Sequence, residues 1–289
     1  MSEKVGTVDQ APKRMLQCSA ETTMSNLRLP PELLDHIVDV LHDNDALYPL
    51  KECCLVSKSW IPRTRRHLFA NIKFCTEGDM QLWKKTFPDP STSPAHYAKI
   101  LLVGCPRAVT TADAGPGGWI TGFSGVVRLE VVDRSMAFRA LADGFAPFHE
   151  FSPVIKSLRV DFIHLPPQTF DLIISFPLLE DLTLAAYSEM ITYEADGSDG
   201  LSTVVQPSSS PAFTGSLELL LERGRKPIAH RLLSLPGGLH FRMFAFIWLH
   251  EEDPLLTKAF VEGCSRTLES LNIICELHAT SIQHLPIRL

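Results

Sequence analysis

Hydrophobic and polar residues follow two different rhythms along this chain. The first begins at Leu29, in "LPPELLDHIVDVL". Leu33, Leu34, Ile37, Val38 and Leu41 recur there at spacings of one, three and four, which predicts a helix with a broad apolar face. Pro30 and Pro31 suit its entry, where a missing N–H costs nothing, and Glu32 complements the dipole of the first turn. "HDNDALYP" then supplies turn residues. A second short helix is expected over residues 50–57, with Leu50, Cys53 and Cys54 on one face. A third is expected over residues 59–69, with Pro62 in its first turn. Three such helices make a very small core, so the unit should rest on the remainder of the chain or on a partner.

The second rhythm is repetitive. Residues 126–131, 155–160, 179–184, 213–219 (one residue longer), 241–246 and 268–273 share an apolar-x-x-apolar-x-apolar pattern, and 99–103 is an earlier variant. Their middle apolar residues are Leu129, Leu158, Leu182, Leu217, Phe244 and Leu271, separated by 29, 24, 35, 27 and 27 residues. The longest gap holds the Gly/Ser/Pro insertion "EADGSDGLSTVVQPSSSP", expected to loop out. Helix-like pieces such as "PQTFDLIISFP", "IAHRLLSL" and "LLTKAFVEG" lie between the segments. A short strand followed by a helix at this period is the signature of a leucine-rich-repeat arc, in which stacking buries an apolar stripe that no single unit can bury. The usual Asn or Cys after each strand is replaced by Arg134, Ile163, Tyr187 and Glu276, so the repeats are degenerate and a less regular α/β stack stays open. No capping pattern follows the last repeat before "LPIRL", although an arc end needs covering.

These rhythms divide the chain into a polar, aperiodic and disordered tail (1–26), a helical unit (27–75), a linker (76–96) and a repeat domain (97–289). The linker has three prolines and a short helix near 81–85. The fold class expected is therefore α/β: a small three-helix domain followed by an arc of alternating short strands and helices.

Composition narrows the partners. Over 289 residues the net charge is −6, which argues against nucleic acid or an anionic membrane as the main partner. The one basic run, "RTRRH" at 63–67, reads as the solvated face of a helix. There is no apolar block of signal-peptide length and no run long enough to cross a bilayer. Seven cysteines, scattered and without a C-x-x-C, suit reduced thiols inside a cell, and Cys53 and Cys54 read as small apolar filler. A cytoplasmic or nuclear protein is expected.

Catalytic signatures do not emerge. "AGPGGW" (114–119) lacks the Lys-Ser/Thr of a phosphate loop and reads as a turn, while "HEED" (250–253) reads as an acidic approach to the following helix. His36 and His42 lie six apart, off a common helix face. No cofactor or metal is expected. An enzyme with a site assembled from unlinked residues ranks a distant third among the readings.

With helices and repeats in place, residues 29–74 resemble an F-box domain. "LPPELLDHIVDVL", "LKECCLVSKSW" and "RRHLFANIKF" follow that family's order of a Leu-Pro opening, a central Leu-Val-Ser, a Trp and a closing Leu-Phe. The remainder, including "TGSLELLLERGRKPIAHRLLSLPGGLHF" and "VEGCSRTLESLNI", resembles F-box proteins of mushroom-forming fungi. The resemblance implies a non-catalytic substrate receptor that docks a Skp-type adaptor, and through it a cullin–RING ubiquitin ligase, while the repeat domain holds a protein substrate. Carried over by position, the adaptor face comprises Leu29, Pro30, Leu33, Leu34, Leu55, Val56, Ser57, Lys58 and Trp60, with Ile37 and Leu41 joining the three helices. The alternative is that Leu33, Leu34 and Trp60 pack on the repeat domain. Strand alternation nominates Arg128, Glu130, Arg159, Asp161, Asp181, Thr183, Glu218 and Asn272 for substrate contact on the inner face of the arc. The rival reading is a repeat scaffold that no longer engages a ligase.

Overall fold

The computed structural model describes residues 30–43, 47–134, 145–151, 154–163, 165–166, 168–186, 211, 213–221, 225–235, 237–248, 253–277 and 281–288. The expected tail and Leu29 lie outside these residues. Three helices come first: α1 (Pro31–Asp43), α2 (Leu47–Val56) and α3 (Ile61–Leu68). Eight parallel strands then follow in chain order across one sheet. They are β1 (Asn71–Phe74), β2 (Ile100–Val103), β3 (Arg128–Asp133), β4 (Ser157–Phe162), β5 (Asp181–Ala186), β6 (Ser216–Leu221), β7 (Met243–Trp248) and β8 (Ser270–Leu277). Between them run α4 (Glu77–Thr86), α5 (Thr111–Ala114), α6 (Ala146–His149), α7 (Thr169–Ile174), α8 (Arg225–Leu233) and α9 (Asp253–Gly263). The class is α/β. Where the sequence shows no capping pattern, β9 (Ser281–Arg288) turns back and pairs antiparallel with β8.

Strand order equals chain order because each unit can bury its apolar stripe only against the next. The marker residues stand in one transverse row: Ile72, Leu101, Leu129, Leu158, Leu182, Leu217, Phe244 and Leu271 are register partners from strand to strand, and all are buried. Phe148, Leu172, Ile173, Ala229, Leu232 and Phe260 from the connecting helices belong to the same core. The repeat is visible in the backbone as well. Just ahead of the strands, the carbonyls of Ala70, Lys99, Val127, Lys156, Gly215 and Arg242 each accept two successive N–H groups from the neighbouring unit. Side chains of any type can occupy such a position, so it persists where the consensus residues do not.

Two guanidinium clamps tie successive strands together just beyond their ends. Arg107, after β2, donates to Asp133 at the end of β3 (2.7 Å). Arg134, after β3, donates to Asp161 on β4 (2.8 Å). Both carboxylates are buried, and a buried acid is tolerated only when paired in this way.

The one longer segment has its own solution. Phe213 takes a left-handed backbone (φ 43°), unusual for a bulky residue, and this absorbs the extra position ahead of β6. Its ring is fully buried against Phe241, with centroids 5.0 Å apart. Asp181 accepts from the N–H and the hydroxyl of Ser216 (2.7 Å each), fixing the return of the chain after the insertion.

Three features differ in detail from the reading of the sequence. Residues 71–74, expected to close the helical unit, are instead the first strand of the sheet, so the two rhythms share an element. Residues 76–96, read as a linker with a short helix near 81–85, carry a longer helix and several buried residues. Thr76 and Asp79 form a capping box that starts α4, and Met80, Ser93, Pro94 and Ala95 are buried. Finally, Ile37 does not join the helices: it is 38% exposed while its neighbour Val38 is 1% exposed. Val38, Leu50 and Cys53 form the buried apolar seam of the unit, with Thr64 beside them and Leu41 only half-buried.

Candidate functional site

Two surfaces stand out, and the first belongs to the helical unit. Helix α1 has two apolar sides. Val38 is buried with Leu34 half-buried beside it, whereas Leu33, Ile37 and Val40, spaced by four and three, form an exposed stripe. Helix α2 ends on Leu55 and Val56, which are 86% and 68% exposed. Pro30, Ser57 and Lys58 are also exposed, and Leu34 and Trp60 are half-buried. The carbonyl of Pro30 accepts from the N–H groups of Leu33 and Leu34 (3.0 and 3.2 Å), which starts α1. The Ser57 hydroxyl accepts from the N–H of Ser59 (3.3 Å), and the Ser57 carbonyl accepts from that of Trp60 (3.1 Å), shaping the turn into α3. The Trp60 carbonyl accepts from the N–H and hydroxyl of Thr64. These bonds use the Trp60 backbone and leave its half-buried side chain uncommitted by them.

A polar cluster holds this surface in place, and sequence reasoning missed it. Asp39 on α1 receives two hydrogen bonds from Arg63 on α3 (2.9 and 2.6 Å), and His67 Nε2 lies 2.7 Å from the same carboxylate. The His67 ring also stacks on His42, with centroids 4.4 Å apart. Hydrogen bonding from Arg63 lowers the Asp39 carboxyl to about 2, against a smaller opposing effect of burial and with help from His67. Part of the basic run is thus a clamp between helices rather than a solvated face. No spacing rule links Asp39 to residues 24 and 28 positions away on another helix.

The second surface is the sheet face opposite the buried row. Glu130, Arg159, Thr183, Glu218, Ala245 and Asn272 are successive register partners, so five nominated residues do line up across five strands. Arg128 and Asp181 lie in the adjoining row, both paired with Ser157. The row is internally engaged. Arg128 pairs with Glu130 (2.8 Å), and the Thr183 hydroxyl donates to Glu218 (3.2 Å).

Two of the nominated acids are held by neighbouring side chains. Asp161 is on the same face but only 1% exposed, enclosed by Arg134 and Arg159. Asp181 is half-buried and committed to Ser216. Alternation identifies a face; it does not show whether a neighbour closes over a position.

Chemistry elsewhere is sparse among the described residues. No group of His, Cys, Asp and Glu could hold a metal ion, and no helix is long and apolar enough to cross a membrane. A cavity of about 450 Å³ lies between Asp89, His96 and residues 117–124. His96 Nδ1 is engaged by the Ser93 carbonyl (2.9 Å), and no Lys or Arg lines the space. Gly117 there has φ 80°, the turn geometry expected of "AGPGGW". Of "HEED", only Asp253 is among the described residues, at the start of α9. Comparison with protein-family models, with curated proteins and with solved structures finds no match to this chain.

Proposed function

We propose that the chain is the substrate-recognition subunit of a Skp–cullin–F-box type ubiquitin ligase. In this reading α1 to α3 are an F-box that docks a Skp-type adaptor, and the parallel sheet is a leucine-rich-repeat-like arc that holds a protein substrate. The observation that carries the reading is the exposure of Leu33, Leu55 and Val56 in the two blocks that resemble the family's docking segments. Apolar anchors on a small helical surface are hot-spot material, and each Leu desolvated on docking contributes about 1.5–3 kcal/mol. The chain itself needs no catalytic residue. Ligation follows from proximity, because one protein holds substrate lysines near the charged ubiquitin carrier bound elsewhere in the assembly.

Of the substrate residues first nominated, Arg128, Glu130, Arg159, Asp181, Thr183, Glu218 and Asn272 remain, with the enclosed Asp161 set aside. The decisive test is titration of a purified Skp-type adaptor into the chain. The wild type should bind, and Leu55→Asp should weaken binding at least about tenfold, the equivalent of about 1.4 kcal/mol. No binding by the wild type, or full binding by both Leu55→Asp and Leu33→Asp, removes the ligase reading and leaves the scaffold.

A further inference from the structure

We propose that Cys75 and Cys105 form a peroxide-sensitive dithiol that closes to a disulfide between the ends of the first two strands. The register that pairs Phe74 with Val103 brings Cys75 beside Gly104 just beyond the strands. The chains come unusually close here. The Gly104 N–H donates to the Phe74 carbonyl at 2.6 Å, and a Cβ on Gly104 would lie 3.1 Å from Cys75 Cα and 3.0 Å from its carbonyl oxygen. Glycine permits that approach, and the next residue is Cys105. Its thiol donates to the Cys75 carbonyl oxygen at 3.5 Å, on the solvent-exposed side of the contact. Neighbouring strands lie about 4.8 Å apart, which sets the approach of Cys75 and Gly104, and Cys105 follows one residue later with its sulfur already on the Cys75 backbone. Both thiols are free, Cys75 is exposed and Cys105 half-buried, so an oxidant can reach them. Cys53 and Cys264 are buried and lack this access.

The chemistry balances with hydrogen peroxide as oxidant. The Cys75 thiol gives its proton to solvent, and its thiolate attacks one peroxide oxygen. The O–O bond breaks to leave sulfenic acid and hydroxide, which takes a proton back from solvent as water. The Cys105 thiol then displaces the sulfenic hydroxyl as a second water, leaving the S–S bond. Each sulfur gives up one electron and peroxide takes up two. Thiols of this kind inside cells are transiently oxidised rather than permanently bridged. The new bond would close a loop over residues 76–104. That loop carries α4 and the turn at Pro94–Tyr97 on which α3 rests.

The test treats the reduced full chain with hydrogen peroxide and maps its peptides by mass spectrometry without reductant. The expected product is a linked peptide pair containing Cys75 and Cys105, two hydrogens lighter than the free pair and reversed by dithiothreitol. Tm should rise by roughly 5 °C on oxidation, and Cys105→Ser should lose that rise. In Cys105→Ser, Cys75 should instead accumulate sulfenic acid that a dimedone probe captures. The proposal is overturned if wild-type Cys75 stops at the same trapped sulfenic acid. Preferential linkage of either residue to Cys18, Cys54 or Cys275 overturns it equally.

Discussion

In the sheet the apolar row from Ile72 to Leu271 is buried and matched strand to strand, whereas in the three N-terminal helices Leu33, Leu55 and Val56 stay in water. The difference is one of supply. Each strand shares its apolar stripe with two neighbours and with helices such as α7 and α9, so nearly every marker residue finds cover. The helical unit has a buried apolar seam of Val38, Leu50 and Cys53, and it adds an ionic clamp at Asp39 to hold α3 on α1. An exposed apolar surface supported by a polar clamp fits a part made to meet another protein; a continuous apolar row fits a part that must stand by itself.

The contrast can be broken most strongly from the sheet side. Leu158→Ala removes a buried side chain from the middle of the row and should cost about 3 kcal/mol of unfolding free energy in a denaturant titration. Asp181→Ala comes next. It leaves the Ser216 N–H and hydroxyl without their acceptor and should cost about 1–2 kcal/mol, read in the same experiment.

A pH effect sharpens the helical side. The Asp39 carboxyl lies near 2 in the folded chain, below its ordinary 3.8. A lowered folded-state value means that the stabilising contribution is complete above pH about 4 and is lost as pH falls toward 2. Amide protection in α1 and α3, measured relative to the intrinsic exchange rate at each pH, should therefore fall across that window in the wild type. In Asp39→Asn that protection should already be low at pH 5, with the step absent. The smallest effect is expected where exposure is greatest. Leu55→Asp should change unfolding free energy by no more than about 0.5 kcal/mol, even though the same change should weaken docking.

How far the sequence speaks depends on the kind of interaction involved. Leu129, Leu158, Leu182, Leu217, Phe244 and Leu271 were legible because strand burial repeats with a local pattern, and each is buried in register. The longer segment at 213–219 was also legible, though its resolution through a left-handed Phe213 was not, since no residue type there signals positive φ. Helix α1 misled because Ile37 and Val38 both lie within a broad apolar face. Only the placement of α2 and α3 decides which of them is covered. The strand β1 was hidden because four residues, "NIKF", carry little pattern and follow directly on a helical block. Among the surface nominations, the row from Glu130 to Asn272 followed from alternation alone. The enclosure of Asp161 depends on Arg134 and Arg159 closing round it, and Arg134 lies beyond the strand that alternation describes.

The central claim is that α1 and α2 carry a docking surface while the sheet is stable without it. Hydrogen–deuterium exchange of the full chain, with and without a Skp-type adaptor, tests it most directly. The account predicts that added protection concentrates in residues 31–60 and that amides of β3 to β8 exchange as before. Unchanged exchange in residues 31–60 at saturating adaptor, or protection that appears on the strands instead, would contradict it.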